Sequence, residues 1–168
     1  MTLILGIDPG SRTTGFGVIS HRGGRSEYVA SGIVRCPRVS LPERLKAIHD
    51  NVGEIVERYC PQELAIEEVF LARDARAAIK LGQARGAAIV ACVNRGMPVF
   101  EYAAKSIKQA VVGTGGADKR QVQHMVKSLL KLPATPREDA ADALAAALCH
   151  AHTQQSMIGM ARSGNSGG

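Results

Sequence analysis

The sequence lacks any cysteine pair at close spacing: Cys36, Cys60, Cys92 and Cys149 are far apart and none belongs to a C-x-x-C motif. That fits a reduced, cytoplasmic protein better than a disulfide scaffold. It also lacks a basic flank before its first apolar residues, Met1 to Ile7, which run straight into Asp8, and no apolar run reaches membrane-spanning length. Neither a signal peptide nor a transmembrane segment is expected. There is no internal repeat, and 168 residues bury one good core, so a single domain over residues 1–157 is expected. The last residues, "ARSGNSGG", lack apolar anchors, and 158–168 is expected to be a disordered tail.

Charge is present but unevenly placed. Between Lys105 and Arg137 stand seven basic residues and one acid, while the other 14 basic and 14 acidic residues cancel. A basic zone on a neutral body points to a polyanionic partner, although a solvated helix face gives the same count.

Apolar patterning orders the chain. "TLILGID", "TTGFGVIS" and "SEYVASGIVR", separated by "PGS" and "HRGGR", read as three antiparallel strands. Leu41, Leu45, Ile48, Val52, Ile55, Val56 and Tyr59 recur at helical steps and stop before Pro61. "ELAIEEVF" then reads as a strand, about 74–94 as a helix and "MPVFEYA" as a strand, a strand–helix–strand crossover that implies a parallel pair. Helices over about 104–112, 118–131 and 138–152 complete an α/β domain with a mixed five-stranded sheet.

Three places put carboxylates where packing does not ask for them. Asp8 ends the first strand, Glu67 and Glu68 interrupt the fourth, and Asp139 and Asp142 share a helix face in "EDAADALAAAL". Strand alternation sends Glu67 and Glu68 to opposite faces, so only one of them can join the others. Small residues Ala140, Ala141 and Ala143 would let that helix approach the sheet. Four acids at close range repel unless cations neutralise them, and hard oxygen ligands suit Mg²⁺ and two-metal phosphodiester hydrolysis. Most of these acids also have a plain structural reading: a turn residue for Asp8, a dipole partner for Asp139 and Glu138, a solvated sheet edge for the glutamates; Asp142, a turn further in, is less easily explained this way.

"ILGIDPGSRTTGFGVI", "AIEEVFLARDARAAIKLGQARGAAIVA", "PVFEYAAKSIKQAVVG" and "DAADALAAAL" resemble, in order and spacing, the RuvC family of Holliday junction resolvases, over about residues 2–152. The resemblance implies a ribonuclease H-like fold, a homodimer, and a Mg²⁺-dependent endonuclease that nicks four-way DNA junctions in pairs during recombination and repair. It also implies two Mg²⁺ per site, with Mn²⁺ as a substitute, and the RuvA–RuvB branch migration complex as a partner. The family's catalytic and metal-binding acids fall on Asp8, Glu67, Asp139 and Asp142; Glu68 stands where many members carry glutamine. Lys108, Lys119, Arg76 and Phe70 match positions linked to DNA handling, Phe70 as an aromatic that reaches a base. Glu68 is left to reach solvent or to pair with Arg73 or Arg76.

Two other readings compete. "GIDPGS" is similar to the first phosphate loop of actin-type and sugar kinases, but no second glycine-rich phosphate loop follows and the chain is half the size of such a two-domain enzyme. A non-cutting module for branched DNA would not place the two aspartates of "DAADA" beside a phosphate backbone. "CHAH", residues 149–152, has no second ligand pair at zinc spacing and reads as histidines decorating a helix end.

Overall fold

The computed structural model describes residues 1–69 and 74–164. Phe70 and Arg73 lie outside the described residues, and so does any contact they make. The strands are β1 (Thr2–Asp8), β2 (Thr13–Arg22), β3 (Arg25–Arg35), β4 (Glu63–Glu67) and β5 (Val99–Tyr102). The helices are α1 (Leu41–Tyr59), α2 (Ala75–Val93), α3 (Ala104–Val112), α4 (Lys119–Leu129) and α5 (Glu138–Gly164). The sheet order is β3-β2-β1-β4-β5. β1, β2 and β3 pair antiparallel, whereas β4 pairs parallel with both β1 and β5. This is the mixed sheet read from the sequence, in a ribonuclease H-like arrangement. No helix among the described residues is long and apolar enough to cross a membrane.

Alternation along the strands splits the core into two. Ile4, Ile19 and Ala65 face α3, α4 and α5, where Ile107, Val122, Val126, Leu144 and Leu148 meet them. Leu5, Ile7, Val18, Leu64 and Ile66 face α1 and α2. Asp8 and Glu67 continue the Ile4 and Ala65 side of their strands, so both point to the α5 face. Helix α5 is apolar all round from Ala143 to Cys149, as a helix roofed by α3 and α4 and floored by the sheet must be.

The sheet makes room for α5 with glycine. A Cβ on Gly6 would lie 1.8 Å from the Ala143 carbonyl oxygen, and one on Gly15 would lie 2.0 Å from the Asp139 carbonyl oxygen. Gly6 pairs with Gly17 across β2 and with Ala65 across β4, so a strip without bulk crosses three strands under the helix. Alanines above and glycines below set the approach together.

Three expectations need correction. Strand β4 stops at Glu67, not at 70: Glu68 N–H still donates to Tyr102 O (2.8 Å), but β5 ends there and leaves nothing further to pair with. Helix α5 continues to Gly164, past the end expected at about 152; Gln154, Gln155, Met157, Met160, Ala161 and Arg162 are good helix formers with no proline among them. His150 does not decorate a helix end. It is fully buried, its Nδ1 paired with the Tyr102 hydroxyl (2.6 Å) and its Nε2 with Glu63 Oε2 (2.6 Å), and its ring stacks on Phe100.

Candidate active site

Asp8 is the last residue of β1, and Glu67 is the last of β4. Ile7 pairs with Ile66 in the parallel ladder, so the next residues of each strand, Asp8 and Glu67, end adjacent strands side by side. Helix α5 crosses this end of the sheet with its first turns, which carry Glu138, Asp139 and Asp142. The close contact at Gly15 fixes the Asp139 backbone over β2, whose Gly15 pairs with Asp8.

The acids feel one another. Burial, then Asp142, Asp139 and Glu67, push Asp8 up from 3.8 to about 8, against the opposing pull of Lys119. Burial also drives Asp142 up to about 6, helped by Glu138, Glu67 and Asp139 and opposed by Lys119. Glu67 is raised by burial while Lys108 and Lys119 hold it down. Burial leads in all three, and neighbouring carboxyls add to it at Asp8 and Asp142, so the charged forms of these acids are disfavoured here.

A cleft of about 250 Å³ opens beside these groups, lined by Glu67, Asp142, Lys108 and Lys119 over a floor of Ile107, Val122 and Ala145. Lys119 is placed by the start of α4: Asp118 accepts from Gln121 N–H (2.9 Å) and Gln121 Oε1 accepts from Asp118 N–H (2.8 Å), a reciprocal cap that makes Lys119 the first helical residue. Its ammonium pairs with Glu138 and is raised mainly by that hydrogen bond. Lys108 reaches the cleft from α3. Arg76 stands apart at the start of α2, in a different groove. Glu68 is exposed, so it reaches solvent.

Three contributors are not marked as part of the site by the sequence pattern. Thr13 Oγ1 donates to Asp139 Oδ2 (2.9 Å) and turns that carboxylate toward β2. Arg85, from α2, donates through Nε to the Glu67 carbonyl (3.2 Å) and pairs with Glu101, holding the end of β4. Glu138 accepts Lys119. All join residues far apart in the chain, which no local pattern reveals.

The donor set is anionic oxygen throughout, the chemistry that hard divalent cations take, and burial disfavours the charged form of Asp8 and Asp142 despite Lys119 nearby. The acids are neighbours without enclosing a point: among the described residues no three His, Cys, Asp or Glu side chains close together as ligands of one ion. Asp139, engaged by Thr13, is the one most visibly turned aside.

The family model described as "Crossover junction endodeoxyribonuclease RuvC" matches residues 4–150. The crossover junction endodeoxyribonuclease RuvC of Tolumonas auensis is 62% identical over 161 residues, covering 96% of this chain and 93% of that protein. The RuvC of Teredinibacter turnerae is 62% identical over 166 residues, covering 96% and 94%. Among solved structures, Thermus thermophilus RuvC in complex with a Holliday junction substrate superposes with a TM-score of 0.86 at 36% identity, covering 93% of this chain and 96% of that one. The chain belongs to the RuvC family of crossover junction endodeoxyribonucleases.

Proposed function

We propose that this protein is a structure-selective endonuclease that resolves four-way DNA junctions by paired symmetric nicks, in recombination and repair. The observation that carries the reading is the gathering of Asp8, Glu67 and Asp142 at one end of the sheet, with Lys108 and Lys119 beside them. Asp8, Glu67, Asp139 and Asp142 would hold two Mg²⁺ ions, for which Mn²⁺ can substitute. When bound, such ions activate a water and neutralise charge on the departing 3′ oxygen in an in-line displacement at phosphorus.

The chain's own groups do the rest. Lys108 and Lys119 line the cleft and attract a phosphate to the rim of the acidic site, where its approach would otherwise be repelled. Lys119 is held by Glu138 and so presents its charge from a fixed place. Thr13 and Arg85 orient Asp139 and the end of β4. Phe70, three residues after Glu67 in the sequence, would stack on a base at the junction centre.

The test uses synthetic four-way junctions with Mg²⁺. Glu67→Gln is expected to lose cutting and keep binding, whereas Glu68→Gln, whose carboxylate is exposed, is expected to cut like wild type. Normal cutting by Glu67→Gln would remove that residue from the site. Equal cutting of linear duplex and junction by the wild type would sink the resolvase reading.

Paired nicks need two sites related by a two-fold axis. On α2, Ile79, Val90 and Val93 are 62%, 48% and 51% exposed, and a Cβ at Gly82 or Gly86 would meet nothing within 4 Å. These five positions form one stripe at three- and four-residue steps, turned away from the chain's own core. A second copy of α2 would cover it and so make the homodimer. Gly86→Arg, which a lone subunit accommodates, is expected to leave the subunit's helix intact and weaken dimerisation on the order of 100-fold, about 3 kcal/mol, as buried like charges meet at the axis. Sedimentation against concentration reads this directly; an unchanged dimer would place the interface elsewhere. The RuvA–RuvB complex is the partner that would bring such a dimer to a junction.

A further inference from the structure

Outside the segment from Lys105 to Arg137 the charges cancel in number, yet they do not cancel in space. A groove of about 800 Å³ lies between the β1–β2 turn, the loop after β3 and the start of α2. Arg12, Arg38, Arg44, Arg76 and Lys80 line it, with Asp74 the one acid. Asp74 is already occupied as the cap of α2, accepting from Arg76 N–H (3.0 Å). None of the five cations makes an ion pair among the described residues, although pairs form elsewhere on this surface. Five cations held within one groove without an ion pair among the described residues repel one another, an arrangement that a polyanion relieves.

The groove is built before anything binds. Cys36 N–H donates to Arg12 O (2.9 Å), tying the loop after β3 to the β1–β2 turn. Arg44 reaches from α1 to the Ser11 carbonyl (3.5 Å) and to the Val39 carbonyl (3.4 Å), bridging the same two segments from below. Arg12, Arg38, Arg76 and Lys80 remain exposed above this floor. The β1–β2 turn follows directly on Asp8 and lines the groove from Ser11, yet none of the four acids of the site lines it, and Lys108 and Lys119 flank those acids in a separate cleft.

We infer that this groove carries the sugar-phosphate backbone of a duplex DNA arm of the junction, away from the bond that is cut. The inference rests on the proposed junction substrate. A four-way junction differs from linear duplex in its branch point and in how its arms are disposed, and reading the disposition of the arms requires holding more than the scissile strand. A backbone carrying one charge per about 1.7 Å of duplex axis is met here by unpaired cations drawn from several separate stretches of chain, which read charge and shape and no base sequence.

The experiment measures binding of the full-length protein to a synthetic four-way junction across a salt series, for wild type, for Arg12→Gln/Arg38→Gln/Lys80→Gln, and for the control Arg22→Gln/Arg25→Gln/Arg58→Gln. The control removes the same charge at the far end of the β2–β3 hairpin and of α1. The groove variant is expected to bind on the order of 10–100-fold more weakly and to reduce the slope of log affinity against log salt by about two to three. The control should keep most of both, and thermal melts of all three should coincide. Wild-type affinity and slope in the groove variant would overturn the inference, as would an equal loss in the control. Loss of binding to duplex RNA with junction binding retained would assign the groove to another partner and overturn it too. Failure of the wild type to cut junctions would instead strike the proposed function, whatever the binding series shows.

Discussion

Asp8→Asn is expected to stop junction cutting and, in the metal-free protein, to raise stability at pH 8. Both effects have one cause. Burial and three nearby carboxyls lift Asp8 from 3.8 to about 8, so the folded protein keeps a proton that the unfolded chain has released. Stability from this group is fully present below about pH 4 and is lost as pH rises through 8. Asp142, raised to about 6, adds a loss over the lower part of that window. The metal-free wild type should therefore melt at falling temperature from pH 4 to pH 8, and Asp8→Asn should flatten the upper part of that slope. Even about 2 kcal/mol recovered at pH 8 corresponds to a melting point roughly 4–8 °C higher in a chain of this size. At pH 4 the two proteins should melt together. Mg²⁺ should raise the wild-type melting point at pH 8, since a ligand that binds only the folded state stabilises it, and should do little for the variant. Losing about 4 kcal/mol of charge stabilisation cuts the rate on the order of 10³-fold, read as single-turnover cleavage with junction binding retained. A variant no more stable than wild type at pH 8 would show that Asp8 is not held in an unfavourable charged state.

What the sequence made legible was local. Acids inside apolar strands, and two aspartates three apart among alanines, break the apolar pattern, and they named Asp8, Asp139, Asp142 and one of Glu67 and Glu68 as candidates; the resemblance to the RuvC family selected Glu67. Alternation placed Glu67 and Glu68 on opposite faces; which face receives α5 is decided by the packing of Ala65 and Ile4 against that helix, a property of the whole core. The basic run in the sequence pointed toward Lys108 and Lys119 because it is contiguous. The second groove escaped notice because its charges are dispersed and balanced along the chain, and only the meeting of two loops with α2 segregates them. His150 was misjudged for the opposite reason. Periodicity saw a histidine near an expected helix end, but the helix continues, and Glu63 and Tyr102 give the buried ring its partners. The alanines of α5 were read correctly as permission for close approach, yet Gly6, Gly15 and Gly17, at alternate positions on the facing strands, carry the other half of that permission.

Gly6→Ala tests how tightly that approach is coupled to the site. The added methyl would sit 1.8 Å from the Ala143 carbonyl oxygen, 2.8 Å from its carbon and 3.2 Å from Ala147 Cβ. The first two are backbone atoms in the middle of a helix, so no rotamer change relieves the clash, and α5 must lift from β1 by an ångström or more to restore ordinary contact. Leu144 and Leu148 are fully buried between sheet and helices, and lifting α5 loosens their packing. Overpacking of this kind costs about 3 kcal/mol or somewhat more, a melting point lower by roughly 10 °C. The same movement carries Asp139 and Asp142 away from Asp8 and Glu67, which stay on the sheet. A displacement of about 1 Å at reacting groups is enough to cost about 10²-fold in rate, so cutting should fall at temperatures where the variant is still folded. Two further glycine-to-alanine changes calibrate the result. At Gly17 the first atoms met are the Leu144 side chain at 2.6 Å, with Leu144 N at 3.0 Å, so partial relief is available and the loss should be smaller. At Gly86 the methyl meets open space within one subunit, and alanine in a helix interior is favoured over glycine by about 0.5–1 kcal/mol. The order Gly6, Gly17, Gly86 in both melting and cutting is what the helix-to-sheet contact demands; a Gly6→Ala protein that melts and cuts like wild type would mean that this contact does not set the position of the α5 acids.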